Sequence, residues 1–270
     1  MIWQCGKKAI EYSDRVLVMG IVNITPDSFS DGGRLTTDKE AVDYALQLIS
    51  EGADIIDIGA QSTRPGYTEI TPEQEWQRLQ PVLLSLRSKT DVPLSVDTYF
   101  STVAAKAVEA GADIINDVSG TVSKEMAAII AASGTGWVIM HSGAGGVDEV
   151  KAFFRQATST AIGCGVNRAQ LCLDMGIGFG KSREQDLSLI ANVSQYKQEG
   201  YPLLLGTSRK RIIGVISGEA EPSKRLPGNV AADFAAIYGG VNIIRLHDVK
   251  NEIQGIRAAE ALLAARKSNG

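Results

Sequence analysis

Eight short apolar segments, distributed along the whole chain, constrain the fold more than any other feature of the sequence. Each is rich in Val, Ile and Leu without alternating polar residues, which is typical of parallel strands buried on both faces. Three of them follow small residues that end a helical stretch, in "EGADIIDIG" (51–59), "AGADIINDV" (110–118) and "GGVNIIRLHDV" (239–249). The eight predicted strands are residues 16–22, 54–58, 93–97, 113–117, 137–141, 170–174, 202–206 and 242–246.

The segments between these strands carry helix start signals. Eight strands, each followed by a helix, within 270 residues predict an α/β fold, a single (β/α)8 TIM barrel that forms one domain over residues 1–270. An open doubly wound sheet is the alternative. It would carry a Gly-rich nucleotide loop after its first strand, and "GIVNITPDSFSDGG" does not have that form. Residues at capping-box spacing are Thr37 with Glu40, Thr71 with Gln74, and Ser182 with Gln185.

Composition and charge exclude several classes of protein. A net charge of −4 argues against general nucleic-acid binding, which depends on clustered phosphate neutralisation. No apolar run approaches the roughly 18 residues of a membrane span, and the start "MIWQCGKKAI" lacks the features of a signal peptide, so a cytoplasmic location is expected. Cys5, Cys164 and Cys172 are odd in number and lack CxxC spacing, which predicts neither disulfides nor a zinc site, and Cys172 is expected in the core.

Polar residues stand at the C-terminal ends of the predicted strands, where the chemistry of a TIM barrel gathers. Taken singly, each could cap the following helix or lie on the surface. Together at one mouth they would lack partners unless a ligand bound there. The residues at these ends are Asn23, Asp97, Asn116, Asp117, His141, Asp174, Arg245, His247 and Asp248, with "GAQSTRPG" after the second strand and "GTSRKR" after the seventh.

These polar groups divide by chemistry into two sets. Carboxylates and an amide suit a flat heterocycle that presents N–H donors and carbonyl acceptors side by side. Cations suit a phosphate or pyrophosphate, and a neutral amide oxygen suits Mg²⁺, which binds oxygen and usually accompanies phosphate. The sequence therefore predicts a site for a nitrogen-rich aromatic ring joined to an anionic leaving group. The first set is Asp97, Asn116 and Asp174; the second is Arg64, Lys210, Arg245 and His247, with Asn23 as the oxygen ligand.

Seven motifs, spread from residue 19 to residue 249, resemble those of the dihydropteroate synthases, the folate-pathway enzymes that join a pterin to p-aminobenzoate. They cover nearly the whole chain, and the first, second and sixth are the most specific. In order, they are "MGIVNITPDSFSDGG", "GADIIDIGAQSTRPG", "PLSVDT", "GADIINDVSG", "LDMGIGFGK", "LLLGTSRKRIIG" and "IIRLHDV".

The resemblance implies a transferase that uses Mg²⁺ and condenses 7,8-dihydropterin-6-ylmethyl diphosphate with p-aminobenzoate, giving 7,8-dihydropteroate and pyrophosphate. It also implies sulfonamide sensitivity and a homodimer. The residues that match the family's functional positions are Asp97, Asn116, Asp174 and Lys210 for the pterin; Asn23, Arg64, Arg245 and His247 for the pyrophosphate, with Asn23 also for the metal; and Phe29, Thr63, Arg64, Pro65 and Phe179 for p-aminobenzoate. Asp97, Lys210, Arg245 and His247 are the implied catalytic residues.

The chain departs from the family's pattern at three places. Ala60 and Gln61 stand where the family usually has Gly and Glu, and Met175 stands where it has Pro. The segment "MHSGAGGVDEV" after the fifth strand lacks the family's Met- and Pro-bearing stretch, which leaves the contribution of this loop open.

Two other functions fit parts of the pattern. A pterin-binding methyltransferase that acts on methyltetrahydrofolate and a corrinoid protein shares the pterin-holding Asp and Asn residues, but has no use for the "NITPDSFSDGG" and "STRPG" loops. A non-catalytic barrel that binds a pterin or a partner protein is expected to have lost a cation or a carboxylate from the mouth, and none is missing.

Overall fold

A computed structural model describes residues 1–13, 15–24, 37–61 and 68–267. In this part of the chain eight parallel strands form a closed barrel, in which the last strand pairs with the first, so the predicted TIM barrel is confirmed and the open sheet is excluded. The strands are β1 (Ile2–Cys5), β2 (Lys8–Glu11), β3 (Leu17–Asn23), β4 (Ile55–Gly59), β5 (Leu94–Asp97), β6 (Ile114–Asp117), β7 (Gly136–Met140), β8 (Leu171–Asp174), β9 (Leu203–Leu205) and β10 (Ile243–Leu246), of which β3 to β10 form the barrel.

Helices pack around the barrel, and three of them begin where the sequence predicts a start. The hydroxyls of Thr37, Thr71 and Ser182 each accept a hydrogen bond from the backbone N–H three residues later, and a capping box is complete at all three. No helix in the described ranges has the length and apolarity needed to cross a membrane. The helices are α1 (Asp38–Ser50), α2 (Pro72–Arg87), α3 (Ser101–Glu109), α4 (Lys124–Ser133), α5 (Val147–Gly163), α6 (Arg183–Ala191), α7 (Val193–Tyr196), α8 (Arg211–Ser217), α9 (Leu226–Gly239) and α10 (Val249–Lys267).

The strands separate two apolar cores. The larger lies between the barrel and the helices, and the smaller fills the N-terminal half of the barrel interior. Because side chains alternate across a strand, each barrel strand except β5 supplies both cores, which explains why the sequence shows continuous apolar runs. The inner core consists of Leu17, Met19, Ile55, Ile114, Val138, Cys172, Leu204 and Ile243, together with Trp3, Cys5 and Tyr12.

An N-terminal hairpin closes the lower end of the barrel, and sequence reasoning did not identify it. Strands β1 and β2 pair in antiparallel register, and Trp3 and Cys5 are fully buried against the inner core. The Trp3 indole Nε1 donates to the carbonyl of Gln170 at 2.8 Å, which satisfies the one polar atom of the ring. Cys5, Cys164 and Cys172 are free cysteines, as their spacing predicts, and Cys172 lies in the core as expected.

Candidate active site

The strand period of two residues brings polar side chains to the mouth of the barrel. In four strands the residue that follows an inner-core residue by two positions is polar, so it points into the same interior one layer higher. The pairs are Ile55 with Asp57, Ile114 with Asn116, Cys172 with Asp174, and Ile243 with Arg245.

Arg245 lies at the centre of this polar layer. Its Nε donates to Asp57 Oδ2 at 2.7 Å, and its Nη2 lies 3.0 Å from Asp97 Oδ2. Asn116 Nδ2 donates to the same Asp57 oxygen at 3.1 Å. Residues from β4, β5, β6 and β10 are therefore joined in one network.

Asp57 is the residue of this network that sequence reasoning missed. It is completely buried, and both Arg245 and Asn116 bond to it. The signal was present in "DIIDIG", because Asp57 is in phase with the inward-facing Ile55. A carboxylate inside an apolar strand requires a buried partner of opposite charge.

The environment shifts the pKa values of two acids of the mouth, Asp97 and Asp174, upward. Burial raises the pKa of Asp97, and the nearby Arg245 guanidinium opposes this shift without cancelling it. Burial likewise raises the pKa of Asp174, against the opposing charge of Lys210. Such shifts in several groups of one cleft are typical of functional sites.

Lys210 joins the acids from the turn after β9. Burial lowers the pKa of its ammonium to about 8, although Asp174 acts in the opposite direction. The Nζ atom donates to the carbonyl of Ile177 and lies 4.7 Å from the centroid of the Phe179 ring. The turn after β9 and the loop after β8 therefore meet beside Asp174, so all four residues of the predicted pterin set are brought together.

The loop after β8 is held in place by a glycine and a lysine. Gly176 has φ +67°, and a Cβ there would lie 1.9 Å from the carbonyl oxygen of His141, so no other residue fits. Its N–H donates to Asp174 Oδ1 at 2.7 Å. Lys181, which sequence reasoning also missed, donates to the carbonyls of His141 and Gly176 at 3.1 and 2.8 Å.

His141 has a different environment from the other polar groups of the mouth. Burial lowers its pKa to about 4, so the imidazole is neutral at physiological pH. The ring packs edge-on against Phe153, with centroids 5.1 Å apart. These contacts make His141 part of the packing beneath the loop that follows β7.

His247 and Asn23 lie at the rim on neighbouring strands, since His247 follows β10 and Asn23 ends β3. His247 Nδ1 is 3.1 Å from Ser208 Oγ, and its carbonyl accepts from the Tyr44 hydroxyl at 2.9 Å. A Cβ on Gly59 would lie 3.5 Å from both Asn23 Oδ1 and Asp97 Cβ. The absence of a side chain at Gly59 therefore lets the Asn23 amide approach Asp97.

Several polar atoms of the layer are buried without a hydrogen-bond partner among the described residues. Two are acceptors of the central network, Asp57 Oδ1 and Asn116 Oδ1, and the third is Ser95 Oγ. Because an unpaired buried acceptor costs about 1–3 kcal/mol, the protein's own described groups do not fully satisfy this layer.

Four residues predicted to bind p-aminobenzoate, Phe29, Thr63, Arg64 and Pro65, lie outside the described residues. The adjacent Gln61 is described. Its Nε2 donates to the Tyr99 hydroxyl at 2.6 Å, and its Oε1 accepts from the N–H of Ile70 at 2.9 Å. Gln61, which departs from the usual family residue, therefore connects Ile70, before α2, with Tyr99, after β5.

The chain matches a model of the pterin binding enzyme family over residues 19–247. It is 38% identical to the dihydropteroate synthase of Synechocystis sp., an alignment that covers 95% of this chain and 93% of the relative. The dihydropteroate synthase of Xanthomonas albilineans with 4-aminobenzoic acid has a TM-score of 0.91 and 39% identity, covering 97% of this chain and 98% of that one.

A second structure of the Xanthomonas enzyme, in complex with 7,8-dihydropteroate, has a TM-score of 0.87 and 35% identity, with the same coverage of both chains. Similarity therefore extends over almost the entire chain and includes the strands that carry the polar layer. On its family match, its curated relatives and its structural neighbours, the chain belongs to the dihydropteroate synthases of the pterin binding enzyme family.

Proposed function

We propose that this chain condenses 7,8-dihydropterin-6-ylmethyl diphosphate with p-aminobenzoate at the barrel mouth, and releases 7,8-dihydropteroate and pyrophosphate. The observation that carries this proposal is the buried network of Asp57, Asp97, Asn116 and Arg245, whose oxygens Asp57 Oδ1 and Asn116 Oδ1 have no partner among the described residues. A pterin ring presents N–H donors that would satisfy such acceptors.

Asp97, Asn116, Asp174 and Lys210 would hold the pterin. Their surroundings support this role, because Arg245 contacts the Asp97 carboxylate and the charge of Lys210 acts on Asp174, yet burial keeps the pKa of both acids raised. The Lys210 ammonium is charged below about pH 8 and can donate to ring acceptors.

Asn23, Arg64, Arg245 and His247 would bind the diphosphate. In the contacts between described residues, Asp57 and Asp97 take Nε and Nη2 of Arg245, so Nη1 is the nitrogen that can meet an anion. His247 lies above it, partly buried and fixed through Ser208. Donors placed beside a leaving group stabilise the anion that departs.

Asn23 would also be the protein ligand of Mg²⁺. Mg²⁺ binds oxygen ligands and usually accompanies phosphate groups, which suits an amide oxygen beside the proposed diphosphate site. The Asn23 Oδ1 atom faces the space over Gly59 and is suitably placed. When bound, the ion would neutralise negative charge on the diphosphate oxygens.

Phe179, with Phe29, Thr63, Arg64 and Pro65, would enclose p-aminobenzoate. Phe179 lies 4.7 Å from Lys210 Nζ, which supports a position for the arylamine next to the pterin. An aromatic ring packed beside the acceptor site would align the second substrate and exclude water.

The reaction requires no enzyme nucleophile. The bond between the pterin methylene carbon and the diphosphate oxygen breaks, the arylamine nitrogen bonds to that carbon, and a proton leaves the nitrogen. The carboxylates of Asp97 and Asp174 would stabilise positive charge on the pterin, while Arg245 and His247 would stabilise the departing anion. Lys210 would hold the pterin ring in the orientation that the reaction requires.

The homodimer that the resemblance implies would form through the last helices. Both α8 and α10 pack against α9, and the rings of Phe234 and Tyr238 stack on α9 with centroids 6.4 Å apart. Sedimentation analysis of the chain and of Phe234→Asp tests this interface, because a monomeric wild type would exclude it. Large apolar side chains exposed by 42–62% on these helices are Val215, Ile216, Phe234, Tyr238 and Leu262.

Pyrophosphate release provides the decisive test of the reaction. Purified protein is incubated with the pterin diphosphate, p-aminobenzoate and Mg²⁺, and each component is omitted in turn. We expect stoichiometric release of pyrophosphate and formation of dihydropteroate only in the complete mixture. Release no faster than in a protein-free control would refute the proposal, and methyl transfer from methyltetrahydrofolate to cobalamin would instead support the methyltransferase.

A further inference from the structure

The turn of residues 207–210, after β9, connects the two halves of the proposed site. Lys210 N donates to the carbonyl of Thr207 at 3.0 Å, which closes the turn. Within the turn, Arg209 has φ +61°, the only positive φ among the described non-glycine residues. Ser208 Oγ contacts both the backbone N–H and Nδ1 of His247 at 3.1 Å. The conformation of the turn therefore sets the positions of Lys210 and His247 together.

The turn is anchored from below by a buried acid of α9. The Thr207 hydroxyl donates to Asp233 Oδ1 at 3.0 Å, and the two residues are 1% and 2% exposed. Glu252 of α10, 1% exposed, is a second buried carboxyl group that acts on Asp233, and its Oε2 has no partner among the described residues unless the two acids share a proton. A shared proton would extend the contact between Thr207 and Asp233 from α9 to α10.

Two buried carboxyl groups in contact retain a proton between them, because both cannot ionise at low dielectric. Burial and the charge of Asp233 raise the pKa of Glu252 to about 9. Two further charged groups act on Glu252: Asp248, before α10, raises the pKa, and Arg209 in the turn lowers it. At neutral pH protonated Glu252 therefore donates to Asp233, which stays available as the acceptor for Thr207.

We propose that Asp233 and Glu252 are positioning residues for the reaction, acting through Thr207 to fix the turn that presents Lys210 and His247. This inference rests on the proposed function, since it concerns the same substrates. A non-glycine residue at positive φ is maintained only when the surrounding structure holds it there. The Asp233 contact restrains one end of the turn, and Arg225 Nη1, which donates to the carbonyl of Arg209 at 2.8 Å, restrains its middle.

Substitutions of Asp233 and Thr207 test the anchor. We expect Asp233→Ala to raise the KM for the pterin diphosphate and to lower kcat, together on the order of tenfold to a hundredfold in kcat/KM. Thr207→Val should have the same effect, because it removes the donor at nearly constant volume, and Thr207→Ser should restore most of the activity. The double variant should be no worse than the worse single variant, since both changes break one contact.

The substitution Glu252→Gln tests whether Glu252 donates a proton to Asp233. Glu252→Gln replaces the O–H donor by an amide N–H, so it should keep at least half of the neutral-pH activity, whereas Glu252→Ala should behave like Asp233→Ala. Glu260→Gln, on the same helix and bonded instead to Val16 and Arg257, is the matched control and should leave kcat and KM unchanged.

The pH dependence of unfolding gives a readout that packing alone would not change. The native state holds the Glu252 proton between the ordinary pKa of 4.5 and about 9, whereas the unfolded state does not, so this contribution to stability is lost as pH rises through that window. The urea midpoint of the wild type should therefore fall relative to that of Glu252→Gln as pH rises. A constant difference would overturn the shared proton.

The outcomes separate this inference from the function on which it rests. A wild type without pyrophosphate release contradicts the proposed function itself. An active wild type, with Asp233→Ala and Thr207→Val folded by circular dichroism and unchanged in kcat/KM, would overturn the positioning role alone. If Asp233→Ala fails to fold, the Thr207→Val and Thr207→Ser pair decides the question.

Discussion

The two ends of the barrel are built from the same strands, yet they differ in how their side chains are satisfied. At the N-terminal end, the inner core and the hairpin pack apolar groups closely, and the indole N–H of Trp3 has its partner in Gln170. At the C-terminal mouth, Asp57 and Asn116 each retain a buried oxygen without a partner among the described residues. The protein's own groups satisfy the polar atom at the first end, whereas a ligand would be needed to satisfy those at the second.

This difference teaches how one strand can serve stability and function at once. Two residues of sequence, about 7 Å along a strand, separate Ile55 in the inner core from Asp57 in the polar layer. Burial of the Ile55 side chain stabilises the fold, whereas burial of the Asp57 carboxylate costs free energy. Hydrogen bonds to a bound substrate would offset that cost. Substitutions at the two ends should therefore affect different measurements.

The largest effect is expected for Lys210→Ala at the mouth. It removes a charged donor next to Asp174, and we expect kcat/KM to fall by on the order of a thousandfold. The free energy of unfolding should change by less than about 1–2 kcal/mol, because the site contributes little to packing. Steady-state pyrophosphate release and urea unfolding measure the two quantities. The exposed Lys250, changed to Ala, is the control, and an active Lys210→Ala would remove the lysine from the mechanism.

The reverse pattern is expected for Trp3→Ala at the closed end. Loss of a fully buried indole should lower the free energy of unfolding by about 3–5 kcal/mol, while kcat of the remaining folded enzyme stays near the wild-type value. Trp3→Phe keeps an aromatic ring and should cost less. A large loss of kcat in a folded Trp3→Ala would show that the hairpin influences the mouth and would break the contrast between the two ends.

Gly176→Ala should affect both measurements, because Gly176 links the mouth to the packing around it. The added Cβ would collide with the carbonyl of His141, so we expect a loss of about 1–3 kcal/mol in stability and reduced activity. Gly134→Ala is a matched control, since Gly134 has a similar φ of +74° at the end of α4 but open space around its Cβ position. Equal effects of the two changes on activity would contradict this explanation.

The smallest effect is a gradual change with pH. Since burial lowers the pKa of Lys210 to about 8, kcat/KM for the pterin diphosphate should fall as pH rises through that value. Over the same interval the native state binds fewer protons than the unfolded state, whose lysine has the ordinary pKa of 10.5, so the contribution of this group to stability rises with pH. In Lys210→Arg, the fall of kcat/KM at alkaline pH should move to higher pH. If it does not move, a group other than Lys210 causes the fall.

Much of the site could be predicted because chemistry and position coincide at strand ends. Asp97 and Asp174 end their strands, Asn116 and Arg245 stand one residue before the end of theirs, and the closed barrel brings all four into a single layer. Sequence reasoning missed Asp57, Asp233 and Glu252, which do not stand at strand ends. Two of them lie on helices whose inward faces cannot be aligned with a mouth residue from sequence alone.

Local periodicity and residue chemistry were sufficient to locate the barrel strands, three capped helix starts and the kinds of polar group near the strand ends. The groups that meet became clear from the folded chain: Arg245 with Asp57 over 188 residues, Thr207 with Asp233, and the hairpin with the barrel floor. The physical reason is that contacts between distant segments are fixed by closure of the barrel and by helix packing, which local sequence does not encode.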